Sequence, residues 1–361
     1  MAGFEGVVWA PNQMRYGIHS KAFQIVEEHA TTFAISRSLH YGLFQVFEGI
    51  RFFCANTDQG LELRFLNLDA NLARFRRGIV YSVAPKDQGF VPSEDDLRRI
   101  FLQFFQSVEI KPFLQRMADN GAQGYFRPFT LDEDESIGVT FPKEPGIRGA
   151  LCSYERYLGE PFDGAVVPNL VRAVGVNGTG CLKLGSNYLL SVKAVQVAQS
   201  IAPTAASALF LDDRPDKPIA ERQITEWDSS CCLIALKDGR IVKIPEGPLI
   251  LPSVTIRGMV ALAKERGIPV EEMPVTYGML LDWVQSEQVV TVCSVGTAGI
   301  LNRCSNLFLV DQDCHPIQQM TSDTSHPLFK ALADIRTDYW KIYLGEHPVP
   351  KGLHLERYLL S

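Results

Sequence analysis

Apolar and polar positions divide the chain into recognisable elements. Leu72, Phe75, Ile79 and Val80 recur at helical spacing and predict a helix over residues 69–82. A second helix is predicted over 93–109. Ser93 is its N-cap, Asp95 and Asp96 lie in its first turn, and Leu97, Ile100, Phe101, Phe104 and Phe105 form its apolar face. Residues 4–60 read as short strands and turns, and Tyr125-Phe126-Arg127-Pro128-Phe129 as a strand. Residues 143–168 are rich in proline, glycine and charge, with turn chemistry in Lys143-Glu144-Pro145-Gly146 and again from Gly159 to Gly164.

Beyond that stretch, strands and helices alternate. The pattern predicts a helix over 186–202 and a strand over 207–212. Strands over 231–236 and 241–244 flank the hairpin dipeptide Asp238-Gly239. A helix over 255–266 is ended by Gly267, a strand follows over 288–293, and a last helix runs over 327–342. The expected fold class is α/β (α+β) with two domains. The expected parts are a small N-terminal α/β domain (1–152), an interdomain linker (153–165) and a larger C-terminal domain (166–361). The Pro-rich tail after Gly345 reads as a segment packed across the surface.

Composition narrows the partners. A net charge of −6 argues against nucleic acid as the main ligand, because phosphate backbones select basic surfaces. It leaves room for anionic small molecules in a local basic pocket. No apolar run is long enough to predict a membrane span, and the start of the chain lacks the basic and apolar regions of a signal peptide. The 8 cysteines are scattered without a CxxC pair, which fits a reducing, cytoplasmic setting. No metal site is expected, since Cys314-His315 has no partner pair at ligand spacing.

The candidate chemistry centres on Lys183, in Lys183-Leu184-Gly185-Ser186-Asn187-Tyr188-Leu189. Leucines flank it, and apolar surroundings favour the neutral amine that a Schiff base requires. Tyr188 supplies a phenol for a cofactor 3-oxygen, and Glu226 a carboxylate that can keep a ring nitrogen protonated. This set can hold pyridoxal 5'-phosphate. Leu251-Pro252-Ser253-Val254-Thr255 and Ser294-Val295-Gly296-Thr297-Ala298-Gly299 offer amides and hydroxyls to a phosphate, and Arg74 a cation. Taken singly, each feature has a plainer reading: an idle lysine, a packing tyrosine, a surface glutamate, ordinary N-caps. Their combination carries the argument.

At this point the chain resembles the branched-chain amino acid aminotransferases, of the class IV pyridoxal-phosphate family (the D-amino acid aminotransferase-like fold type IV). The likeness is distributed over His40-Tyr41-Gly42, Val46-Phe47-Glu48-Gly49-Ile50-Arg51, Asn71-Leu72-Ala73-Arg74-Phe75, Tyr125-Phe126-Arg127-Pro128, Tyr157-Leu158-Gly159-Glu160 and the segment from Lys183 to Leu189. The resemblance implies that Lys183 forms the Schiff base and serves as base for the 1,3-proton shift. It implies that Glu226 faces the ring nitrogen and Tyr188 the 3-oxygen, and that Arg74, Val254, Thr255 and Thr297 hold the phosphate. Tyr41, Phe47, Tyr125, Arg127, Gly296 and Ala298 would shape the substrate pocket. The implied reaction is a ping-pong exchange between leucine, isoleucine or valine and 2-oxoglutarate, in a homodimer or higher homo-oligomer whose partners are small-molecule amino acids and 2-oxo acids.

Three departures stand out. One extra residue lies between Gly42 and Phe47, Ser253 replaces a usual glycine, and Trp227-Asp228-Ser229-Ser230-Cys231-Cys232 replaces a segment of small residues ending in asparagine. They keep two alternatives open. One is another enzyme of this fold, such as a D-amino acid or amine transaminase, an aminodeoxychorismate lyase or a transaminase for a specialised amino acid. The other is an inactive binding or regulatory homologue.

Overall fold

The structure, a computed structural model, describes residues 4–27, 37–135, 138–157, 160–173 and 178–360. The chain divides into two compact units. The first comprises Glu5–Glu155, Leu182–Ser186 and His354–Ser361, and the second Met1–Phe4, Arg156–Cys181 and Asn187–Leu353. Leu158, Gly159 and the middle of the glycine-rich run before Lys183 (174–177) lie outside the described residues.

The first unit is an antiparallel sheet backed by helices. Its strands are β1 (Asn12–Gly17), β2 (Phe23–Glu27), β3 (Ile50–Thr57), β4 (Gly60–Leu66), β5 (Gln123–Asp132) and β6 (Pro145–Tyr154). The spatial order is C-terminal strand, β4, β3, β5, β6, β1, β2, with Val8–Trp9 also pairing β6. The helices are α1 (Leu68–Ser82), α2 (Glu94–Phe105) and α3 (Lys111–Asp119). Ser93 caps α2 through a capping box with Asp96, and the predicted apolar face of that helix is buried. Phe101 and Phe105 pack edge-on against Phe126 and Phe52, at 4.9 and 5.0 Å between centroids.

Helix α3 has no counterpart in the sequence expectation, and two further elements differ from it. Residues read as turn chemistry from Lys143 onward include the ten-residue strand β6, whose Ile147 and Leu151 are buried. Pro145 occupies its first position, where a missing amide is tolerated. Gly149 is required inside it, because a Cβ there would lie 2.6 Å from the Phe126 ring. The tail after Gly345 does more than cross the surface: Leu355–Leu360 pairs in continuous register with β4, from Leu355↔Leu66 to Leu360↔Leu61.

The second unit contains β7 (Phe162–Val167), β8 (Ala205–Leu211), β9 (Ile224–Trp227), β10 (Cys231–Leu236), β11 (Ile241–Lys243), β12 (Val289–Gly296), β13 (Ile300–Val310) and β14 (Pro316–Thr321). Its helices are α4 (Tyr188–Ile201), α5 (Val254–Glu265), α6 (Tyr277–Gln285) and α7 (Pro327–Leu344). The strands run in the order β9, β8, β7, β13, β12, β10, β11, and β9 also pairs with β10 through Glu226↔Cys231. Six strands therefore close on themselves, and Glu226 lies at the closure. Alanines at 165, 194, 198, 205 and 208 let α4 approach β7 and β8 closely. Among the described residues, no helix is long and apolar enough to cross a membrane.

Candidate active site

In the first unit, backbone pairing places Lys183. Phe47 N donates to the Lys183 carbonyl at 3.0 Å and Gly185 N to the Gln45 carbonyl at 2.8 Å, with a bridge between Val46 and Leu184. On the other side, Glu48 N donates to Pro128 O and Thr130 N to Val46 O, at 2.9 and 2.8 Å. Residues 46–48 are thus held between the lysine segment and β5. Gly42 and Phe44 both take left-handed backbone (φ 66° and 55°), so the longer loop turns sharply and Phe47 still pairs with Phe129.

The same packing brings Arg74 to Glu48. Helix α1 approaches Val46 so closely at Gly78 that a Cβ there would lie 2.5 Å from Val46 Cγ1. One turn earlier, Arg74 donates from Nε and Nη2 to the two oxygens of Glu48, and both residues are buried. Gly49 N adds a bond to Glu48 Oε1 at 2.7 Å. Burial by itself would raise the Glu48 carboxyl, but Arg74, helped by Lys183 and the Gly49 amide, outweighs it and holds the group below the usual glutamate range.

An aromatic and cationic wall lies beside this pair. Lys183 Nζ sits 4.9 Å from the Phe47 ring centroid, and the Arg127 guanidinium 4.7 Å from the same ring. Arg127 Nη2 donates to the Tyr125 hydroxyl at 2.9 Å. Tyr125 lies over Gly49, where a Cβ would meet the hydroxyl at 2.0 Å. Tyr41 closes a short helical turn, Arg37–Tyr41, where it is half-exposed with its ring edge-on to His40 at 6.3 Å.

The second unit gathers the remaining candidates. Glu226 is 2% exposed and accepts from the Leu251 amide at 3.2 Å. That residue leads directly into Ser253, Val254 and Thr255 at the start of α5, where first-turn amides point outward. Ser253 serves as N-cap, its hydroxyl accepting from Ile256 N at 3.2 Å. Ser230 and Ser294 share a hydroxyl contact of 2.6 Å, which ties the β9–β10 turn to β12. The Gly296-Thr297-Ala298-Gly299 turn follows from that strand.

Arg172 belongs to this group and was not singled out by the sequence. Its Nη1 lies 2.8 Å from Glu226 Oε1, and its guanidinium stands 5.4 Å from the Tyr188 ring centroid. Burial works against its charge, but Glu226 and the Tyr188 phenol raise it above its ordinary value. The contact with Glu226 is ionic and lacks hydrogen-bond direction, so Nη1 and Nε are buried donors without an acceptor. Glu48 was likewise missed as a site residue. In both cases the available signal was a lone charge inside an apolar run: Glu48 in Val46-Phe47-Glu48-Gly49-Ile50, Arg172 in Leu170-Val171-Arg172-Ala173-Val174.

No family model matches the chain. Among curated proteins it is 25% identical to branched-chain-amino-acid transaminase 1 of Bacillus subtilis, over 83% of this chain and 80% of that protein. It is 26% identical to the branched-chain-amino-acid aminotransferase of Helicobacter pylori, over 91% and 88%. Its structure is similar to the branched-chain amino acid aminotransferase of Escherichia coli (TM-score 0.67, 21% identity, 96% of this chain and 98% of that one). It is also similar to the branched-chain amino acid aminotransferase of Thermobaculum terrenum, solved in its PLP-form (TM-score 0.65, 18% identity, 93% and 95%).

The chain has the branched-chain aminotransferase fold. The resemblance read from its sequence is borne out. Within that aminotransferase fold, the replaced segment after Glu226 is absorbed by packing. Trp227 donates to the Cys293 carbonyl at 3.0 Å, meets Phe162 edge-on at 5.2 Å and covers Gly164. Asp228 is buried and accepts from the Ser207 hydroxyl and from Ala208 N, the latter at 3.1 Å. Both residues are buried next to Glu226 in the sequence.

A phosphorylated pyridine fits the donor set of the second unit. Arg172 offers buried donors with no acceptor, Tyr188 a phenol, Glu226 a buried carboxylate and α5 its N-terminal amides. Within the first unit, Lys183 carries an amine beside the Phe47 ring, and Arg74 is oriented by Glu48.

Proposed function

We propose that this protein is a pyridoxal 5'-phosphate-dependent aminotransferase that transfers the amino group of leucine, isoleucine or valine to 2-oxoglutarate in two half-reactions. One observation carries the reading: Glu226 and Arg172 form a buried ion pair beside the half-buried Tyr188 ring, and Glu226 continues through Leu251 into the N-terminus of α5. Carboxylate, phenol and helix amides are the three contacts such a cofactor requires.

When bound, the cofactor acts as an electron sink for charge that develops at the substrate α-carbon. Glu226, its charge offset by Arg172, holds a proton on the ring nitrogen. Tyr188 and Arg172 bond the 3-oxygen, and Val254, Thr255, Thr297 and Arg74 hold the phosphate. Lys183 supplies the amine that anchors the group and moves a proton at the substrate α-carbon. Phe47 and Tyr125 form an apolar wall for an aliphatic side chain, with Arg127 as the cation for a carboxylate. Tyr41, Gly296 and Ala298 complete the pocket. The same reading makes the working form a cytoplasmic homodimer or higher homo-oligomer.

The test is the visible absorption of the purified, cofactor-loaded protein. Leucine should bleach it and 2-oxoglutarate restore it, and Lys183→Ala should abolish turnover while leaving circular dichroism unchanged. A spectrum indifferent to leucine but responsive to D-amino acids or amines would overturn the substrate assignment. Failure to take up cofactor at all would favour a binding homologue. Normal turnover by the Lys183→Ala variant would remove the lysine from its role.

A further inference from the structure

A cluster in the first unit, sharing no residue with the candidate active site, has the chemistry of a metal ligand set. Asp69 is the second residue of α1, His354 precedes the C-terminal strand and Glu356 lies within it. One atom from each, among them His354 Nδ1, lies within 4.8 Å of the other two. His354 Nδ1 is 3.8 Å from Asp69 Oδ2 and 4.0 Å from Glu356 Oε1.

The backbone builds the cluster. Asn67 N donates to the His354 carbonyl at 2.8 Å, and His354 N donates to Asn67 Oδ1 at 2.9 Å. Asn67 itself is left-handed (φ 57°) at the N-cap of α1, which turns the chain so that Asp69 faces the histidine segment. The two carboxylates are oriented from behind. Arg98 donates to Asp69 Oδ1 and, from Nε at 3.2 Å, to Glu356 Oε2, which also accepts from the Tyr358 hydroxyl. Each carboxylate therefore gives one oxygen to Arg98 and keeps the other on the His354 side, the arrangement by which outer partners orient metal ligands.

The second observation concerns Glu356. It is only 7% exposed, and its Oε1, the oxygen nearest His354, is a buried acceptor with no hydrogen-bond partner. A buried carboxylate oxygen is seldom left that way, and a cation satisfies it. Asp69, Asp95 and Glu356 face a single guanidinium, Arg98, since Arg98 Nη1 also contacts Asp95 at 2.8 Å. With neutral imidazole the group keeps an excess of negative charge.

We propose that Asp69, His354 and Glu356 bind a divalent transition metal of the zinc type, which fastens the C-terminal strand to the start of α1. The imidazole favours such an ion over magnesium or calcium, which prefer oxygen ligands throughout. Zinc bonds of about 2.0–2.2 Å require the ligand atoms to draw in by a fraction of an ångström to about one. Asp69 and His354, 59% and 69% exposed at the side chain, are free to make that shift while Glu356 forms the fixed floor. Water fills the remaining position.

The experiment is a calorimetric titration of the full-length, cofactor-loaded protein with zinc chloride in a non-chelating buffer, paired with thermal denaturation. The wild-type protein should show a saturable site and a raised denaturation temperature with zinc. His354→Ala, at an exposed position, should fold normally, lose at least about tenfold in zinc affinity and lose the thermal shift. Asp69→Asn should weaken binding in the same direction. No saturable zinc binding by the wild type, or binding and thermal shift unchanged in His354→Ala, would overturn the proposal.

Discussion

Glu48→Gln is the sharpest perturbation of the first unit. Glu48 is fully buried and accepts two bonds from Arg74 and one from Gly49 N. Removing one member of a buried ion pair costs about 3–5 kcal/mol, because the other charge is left in a low-dielectric site. The glutamine retains one carbonyl acceptor for the guanidinium, and a hydrogen bond to a charged group returns about 1.5–3 kcal/mol. The expected net loss is then on the order of 1–3 kcal/mol. Urea denaturation followed by circular dichroism measures it. A double-mutant cycle with Arg74→Met isolates the pair, and the coupling should be at least about 1 kcal/mol.

The pH dependence follows from the same contact. The folded carboxyl lies below its unfolded value, so its contribution is complete above the ordinary glutamate pKa of about 4.3 and is lost as pH falls through the lower folded value. In the glutamine variant that part of the acid limb should flatten. A loss under about 0.5 kcal/mol, with additive single mutants and an unchanged acid limb, would refute the claim that this pair holds Arg74 in place.

Other outcomes follow from the second unit. Arg172→Gln leaves the buried carboxylate of Glu226 without its cation and should destabilise the cofactor-free protein by about 3 kcal/mol. Saturating pyridoxal 5'-phosphate should narrow that gap in denaturation temperature, and an equal gap with and without it would count against Glu226 facing the ring nitrogen. Gly258→Ala places a methyl 2.3 Å from Tyr339 Cε2 where α5 meets α7, and should cost about 1–3 kcal/mol in thermal denaturation. An unshifted melting curve would show that Tyr339 moves aside freely.

Helices α1, α2, α4, α5 and α7 were legible along the chain because their information is local, whereas α3 and α6 carried no such signal in the sequence reading. Apolar positions at helical spacing, Ser93 before α2 and Gly267 after the last turn of α5 mark the legible helices with no partner in view. Lys183, Tyr188 and Glu226 stood out for a similar reason: their side-chain chemistry is carried by residue type and order. Strand β6 was hidden because its proline and glycines read as turns. Gly149 belongs to a strand only because Phe126, in β5, fills the space beside it.

The partners of the charged groups were also decided in three dimensions. Sequence alone marks Arg74 as a cation on an apolar face, but its bond to Glu48, 26 residues away, depends on how Gly78 lets α1 settle against Val46. Glu226 meets Arg172 where β9 and β10 close the ring, and the C-terminal strand finds β4 across almost the whole chain. Residue type and spacing determine which chemistry a chain can attempt and where its helices begin and end. Burial and ion pairing belong to contacts between distant segments, and only the folded backbone brings those segments together.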